Sequence, residues 1–97
     1  MLIGAKQHGA GNTIRYEVDY IDWLDEGRTL LSTGFSATNI TATVTDVTVS
    51  NVSVTAHKLY FFVSGGSVNE AFTVQTQVQD TLGETVIDTI NFTVVQP

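Results

Sequence analysis

Along much of the chain, apolar and polar residues alternate with a period of two. Ile14, Tyr16, Val18 and Tyr20 are interleaved with Arg15, Glu17 and Asp19, which predicts a half-buried strand. The segment Asp22-Trp23-Leu24-Asp25-Glu26-Gly27-Arg28 breaks the alternation. It reads as a turn, or one helical turn, that tucks Trp23 and Leu24 inward and ends at Gly27. Thr29 to Phe35 predicts a second strand, with a bulge or bend at Gly34. Ile40, Ala42 and Val44 give a third apolar face, but at Asp46 the parity flips to Val47 and Val49, then Val52 and Val54. A one-residue change of parity turns every side chain to the other face unless a bulge or turn absorbs it. A break near Asp46 and a turn near Ser50-Asn51 are therefore expected.

Lys58 to Ser64 is apolar on both faces, as suits a central strand. Gly65-Gly66 follows as a turn that permits positive φ. Phe72, Val74, Thr76 and Val78 then alternate with Thr73, Gln75 and Gln77, and Asp80-Thr81-Leu82-Gly83 marks a hairpin. Val86, Ile90, Phe92 and Val94 close the chain as a long strand. About seven short strands with turn signals every 8–12 residues predict an all-β, Ig-like antiparallel β-sandwich. A small closed barrel is the second choice. Residues 1–13, with Gly4, Gly9 and Gly11 among isolated apolar residues, read as a flexible N-terminal arm. Residues 14–97 form the sandwich domain. The structural core is expected to hold Tyr16, Val18, Trp23, Leu24, Phe61, Phe72, Val74 and Phe92.

Composition strengthens the β reading. Val, Ile and Thr supply 34 of 97 residues, and branching at Cβ favours extended backbone. With 42% hydrophobic and 14% charged residues, the chain is not of the charge-rich, disordered type. Four Lys and Arg stand against ten Asp and Glu, for a net charge of −6. Such a balance argues against nucleic acid as a partner, because that affinity comes from cations neutralising phosphates. It argues equally against adhesion to an anionic membrane surface. There is no cysteine, so disulfides, thiolate nucleophiles and Cys-ligated zinc are excluded. No apolar run approaches the length of a membrane span. The opening Met1-Leu2-Ile3-Gly4-Ala5 is too short for a signal-peptide core.

Candidate chemistry is sparse. Nucleophilic catalysis needs a nucleophile, a base and an orienting group within reach. The two histidines are His8, in the glycine-containing arm, and His57, at a strand entry, and no Gly-x-Ser-x-Gly elbow occurs. No catalytic residue, cofactor or metal ligand is assigned. Asp19, Asp22, Asp25 and Glu26 could offer hard oxygens to a calcium ion. Their spacing does not match an EF-hand loop, and a solvated acidic turn accounts for them. Gly65-Gly66 lacks the residues that make a phosphate cradle. Tyr60 and Phe62 lie on the face opposite Phe61, where aromatics can anchor a protein interface or a carbohydrate platform.

The pattern Tyr16-x-Val18-Asp19-Tyr20-x-Asp22-Trp23-Leu24-x-x-Gly27-x-x-Leu30 resembles the N-terminal signature of a family of small tailed-bacteriophage virion proteins. Val63-Ser64-Gly65-Gly66-Ser67, Phe72-Thr73-Val74 and Val78-Gln79-Asp80-Thr81-Leu82-Gly83 are similar to that family's later segments. The resemblance covers roughly residues 14–95. Arg28, Tyr20 and Asn69-Glu70-Ala71 depart from the family pattern. Members are similar to Ig-like sandwiches and are described as fiber–tail adaptor or minor head–tail components.

The resemblance implies a non-enzymatic structural subunit, made in the bacterial cytoplasm and built into the virion in many copies. Its partners would be other virion proteins: tail, neck, fiber or capsid subunits. An adaptor or connector at the tail, neck or fiber attachment is the first expectation, and a capsid decoration protein the second. A cell-surface or carbohydrate-binding Ig-like module is the alternative from another class.

Overall fold

The computed structural model describes residues 2–24 and 26–97. It contains seven strands: β1 (Leu2–Gly9), β2 (Thr13–Asp19), β3 (Ser36–Asn39), β4 (Val47–Val54), β5 (Lys58–Gly65), β6 (Ala71–Gln79) and β7 (Thr85–Val95). One sheet has the order β1-β7-β6-β3 and the other β2-β5-β4. Among the described residues there is no helix. The result is an all-β protein of two sheets, consistent with a β-sandwich. Neighbouring strands run antiparallel except β1, which runs parallel to β7 with Gly4 opposite Ile90 and His8 opposite Val94.

The N-terminal arm expected over residues 1–13 has to be corrected. Leu2–Gly9 is an edge strand of the four-stranded sheet, and its His8 is fully buried. The chain then reverses at once. Asn12 N–H bonds to the Gly9 carbonyl at 3.0 Å and Ala10 N–H to the Val95 carbonyl at 2.8 Å, with Gly11 at φ +74°. The glycines thus make a tight connection between sheets, and the sandwich starts at Leu2 and not at residue 14.

Two other predicted strands do not form. Within 29–35, Leu30 N–H bonds to the Ala56 carbonyl at 2.8 Å in the turn between β4 and β5, and Leu31 N–H to the Gln79 carbonyl at 2.8 Å at the end of β6. Among the described residues the segment makes only one isolated antiparallel bridge, Leu30 to Asp80, so it links the β4–β5 turn to the end of β6, and buried Leu30 plugs that end of the sandwich. The predicted face Ile40-Ala42-Val44 is a turn held by Asn39. The Asn39 side chain accepts from Thr41 N–H at 2.9 Å and donates to the Val44 carbonyl at 3.0 Å. This turn absorbs the parity flip at Asp46. The second flip is absorbed inside β4 by a bulge, where the register shifts between Ser50 and Ser53 and Asn51 takes φ +50°. The turn expected at Ser50-Asn51 is therefore a kink within one strand.

Side chains from both sheets meet around Phe92. Its ring stacks on Phe72 with centroids 5.0 Å apart, and meets Tyr16 edge-on at 5.0 Å and Phe61 edge-on at 6.4 Å. Phe61, Val63, Phe72, Val74, Phe92 and Val94 are buried in this cluster, and Tyr16 and Val18 pack against it half-buried. A second cluster, Tyr20, Leu30, Leu59 and Val78, fills the end with the long loop, and Leu24 packs on it. Trp23 is another correction: it is 36% exposed, and Tyr20 at 4% takes the interior place. The Tyr20 carbonyl accepts from both Trp23 N–H and Leu24 N–H at 3.0 Å. That single turn sends Tyr20 inward and leaves the Trp23 indole on the rim, edge-on to the Tyr20 ring at 6.1 Å.

Candidate functional site

The titratable groups inside the fold are structural in their contacts. His8 Nε2 lies 3.1 Å from the Asn12 carbonyl and Nδ1 lies 2.7 Å from the Tyr16 hydroxyl. Burial pushes the Tyr16 phenol up. His57 flanks β5 at the opposite end of the sandwich, where its carbonyl accepts from Tyr20 N–H at 2.8 Å. The two histidines therefore share no site. Asp80 is buried and accepts from Leu82 N–H at 3.0 Å, Glu84 N–H at 2.9 Å and the Arg28 guanidinium at 3.1 Å. Arg28 also reaches Glu84 at 3.5 Å. This knot ties the long loop to the hairpin between β6 and β7.

Of the acidic loop, Asp19 Oδ1 accepts from Ile21 N–H at 2.9 Å, an Asx turn that ends β2. Asp25 lies outside the described residues. Among the described residues, no group of three or more His, Asp or Glu side chains could hold a metal ion.

The surfaces carry more information. On the three-stranded sheet, β5 is central and turns Tyr60 and Phe62 outward, each half-buried. Arg15 of β2 places its guanidinium 4.9 Å from the Tyr60 ring centre, a cation–π distance. Lys58 reaches Glu17 at 3.7 Å on the same face. The outer face of the other sheet is polar instead, with Thr73, Gln75 and Gln77 on β6 beside Thr89, Asn91 and Thr93 on β7. One sheet thus presents an aromatic and arginine patch of the type that dominates protein interfaces, while the other presents amides and hydroxyls.

A cleft of about 400 Å³ opens where β1 of one sheet passes β2 of the other. Its lining includes apolar Val18, Trp23, Val86 and Ile90 and acidic Glu17, Asp19, Asp22 and Asp88, although the Glu17 carboxylate pairs with Lys58 on the outer face and that of Asp19 binds Ile21 N–H. Asp88 is only 3% exposed, and burial pushes its carboxyl up. The inner face of β1 reads Gly4, Lys6, His8. From Gly4 on it carries no apolar residue, so sequence alternation gave no sign of this wall. Nor did it place Asp88 inside, an acid on the otherwise apolar inner face of β7.

Comparison with known proteins adds family and fold. No curated protein matches the chain significantly. Among solved structures, a crystal structure of the Vibrionaceae Photobacterium sp. JT-ISH-224 2,6-sialyltransferase superposes with a TM-score of 0.57 at 12% identity. The match covers 99% of this chain but only 18% of that enzyme. At such identity the likeness is one of fold alone. The family model described as podophage GP4 fiber-tail adaptor protein gp77 matches residues 8–94, which is nearly the whole sandwich. The chain therefore belongs to the podophage GP4 fiber-tail adaptor gp77 family.

Proposed function

We propose that the protein is a non-enzymatic adaptor that joins tail and fiber subunits of the virion by protein–protein contact alone, in several symmetry-related copies. The observation that carries this reading is the family match over residues 8–94. The surface supports it. The Arg15, Tyr60 and Phe62 patch has the residue types that act as anchors when a partner excludes water from them. Repetition around a closed ring would multiply a modest contact into a durable one. Synthesis in the host cytoplasm accords with a chain that has no cysteine.

The test is immunogold electron microscopy of purified particles with antibody to this chain. Label at the tail–fiber junction is the expected result. Label over the head faces would make the protein a decoration subunit. Absence of the chain from the particles by mass spectrometry would overturn the virion reading and favour a glycan-binding or cell-surface module.

A further inference from the structure

Of the four edge strands among the described residues, three are spoiled for further pairing. β1 shifts register between Leu2 and Gly4 and carries Lys6 on the face of buried His8, β3 is four residues long, and β4 kinks at the bulge around Asn51. Bulges, short lengths and misplaced charges are what keep sheet edges from joining other strands. β2 has no such interruption. Its seven residues, Thr13–Asp19, keep one register with β5 throughout and include neither glycine nor proline. Its inward side chains are also poorly covered. Ile14 is 40% exposed and Tyr16 and Val18 are half-buried, while their partners on β5, Val63, Phe61 and Leu59, are fully buried.

The hydrogen bonds at its ends show which backbone groups of β2 are spare. Immediately before the strand the Asn12 carbonyl accepts from Gly65 N–H at 3.2 Å, and immediately after it Tyr20 N–H donates to the His57 carbonyl at 2.8 Å. Antiparallel pairing alternates residue by residue, so Ile14, Tyr16 and Val18 exchange bonds with β5. Thr13, Arg15, Glu17 and Asp19 turn their N–H and C=O groups to the open edge. An antiparallel strand docking there must present matching groups, and β2 of a second copy supplies them. With a two-fold axis at Tyr16, Arg15 of each copy stands opposite Glu17 of the other, and Thr13 opposite Asp19, all at hydrogen-bonding positions. On the inner face Ile14 stands opposite Val18, and the two Tyr16 residues face each other. Opposite charges and apolar pairs directly across strands are stabilising, and like charges are not. A slip of two residues, the smallest that keeps the faces, sets Arg15 on Arg15 in one direction and Glu17 on Glu17 in the other.

We propose that β2 is a self-pairing edge through which two copies of this chain join antiparallel into one six-stranded sheet, with Arg15 and Glu17 fixing the register. The contact uses the same strand on both copies and closes on itself, so it makes a pair and not a filament. It sets the two outward patches of Tyr60 and Phe62 on one continuous face. The net charge of −6 on each copy opposes association, and physiological salt screens it beyond about 8 Å. The pairing concerns the free chain and stands apart from the adaptor reading, which its failure leaves untouched.

The purified full chain is followed by sedimentation velocity from about 1 μM to 1 mM, with amide hydrogen exchange read by NMR. A concentration-dependent species of twice the chain mass is expected, in which the Arg15 and Glu17 amides, open in the single chain, become protected. Both side chains are exposed, and Arg15→Glu or Glu17→Arg sets like charges across the two-fold axis. Each variant alone is expected to pair about tenfold more weakly or worse. Mixed in equal amounts, the two variants regain complementary charges and are expected to pair again, a rescue that misfolded chains could not give. A chain that stays single at every concentration would overturn the proposal and leave the edge to a strand of another subunit. Pairing that survives Arg15→Glu, a mixture that stays unpaired, or a pair whose Arg15 and Glu17 amides still exchange freely would overturn it as well.

Discussion

His8 Nδ1 lies 2.7 Å from the Tyr16 hydroxyl, and this contact joins the two sheets, because His8 sits on β1 and Tyr16 on β2. The other ring nitrogen faces the Asn12 carbonyl at 3.1 Å, which can only accept. Nε2 therefore carries a hydrogen, and the Tyr16 hydroxyl, which also lies 3.4 Å from the Gln7 carbonyl, is the partner of Nδ1. Tyr16→Phe would leave a buried ring nitrogen without its partner. We expect a loss of about 1–3 kcal/mol by urea denaturation. A variant as stable as the wild type would show that the bond across the sheets contributes nothing net.

Deleting residues 1–9 tests the same edge at larger scale. It removes β1, including the register from Gly4 opposite Ile90 to Gly9 opposite Val95, and uncovers the edge of β7, the longest strand. An uncovered long edge is a template for self-association. The expected outcome is a truncated chain that melts well below the full one and aggregates. A monomeric, equally stable truncation would restore the flexible-arm reading of this segment.

Trp23→Ala separates a rim residue from a core residue. A fully buried aromatic truncated to alanine costs about 3–5 kcal/mol. Trp23 is 36% exposed and touches Tyr20 edge-on, so a loss of only about 1 kcal/mol is expected. Phe92→Ala should show the full cost, since the Phe92 ring meets Phe61, Phe72 and Tyr16. Thermal denaturation of the two variants side by side checks the ranking. Equal losses would place Trp23 in the interior after all.

The contrast between these residues marks how far the sequence can be read. Strands β2, β5, β6 and β7 are legible because one or both of their faces are apolar, and burial leaves a period-two trace. The strand β1 is not legible. From Gly4 on, the face that carries buried His8 holds only Gly4 and exposed Lys6 besides, and the backbone pairing with β7 and the His8 bonds have no hydrophobic signature. The reverse error occurs at Thr29–Phe35, which carries strand-forming residues but shares its donors between Ala56 and Gln79. Trp23 misleads for a related reason: composition says a large aromatic should be inside, while the turn at Tyr20 decides which aromatic goes there. The cleft was invisible because an opening is defined by an absent side chain, that of Gly4, and by a contact between strands of different sheets.

Two buried carboxylates make opposite demands on pH. For Asp80, burial alone would push the carboxyl up, but the N–H groups of Glu84 and Leu82 and the Arg28 guanidinium outweigh it and hold the group below its ordinary value. Its contribution is therefore complete above the unfolded value of about 3.9 and is lost as pH falls through the lower folded value. For Asp88, burial raises the carboxyl, so the folded chain holds that proton more tightly than the unfolded chain. Stability then falls as pH rises from the ordinary value through the raised one. Urea midpoints measured between about pH 2 and 7 should separate the two. Asp80→Asn is expected to lower stability at neutral pH and to flatten the loss in acid. Asp88→Asn is expected to remove the decline at the upper side of the carboxylate range, so that the variant gains on the wild type as pH rises. A wild-type slope that survives Asp88→Asn would show that its carboxyl is ionised with little penalty in the fold.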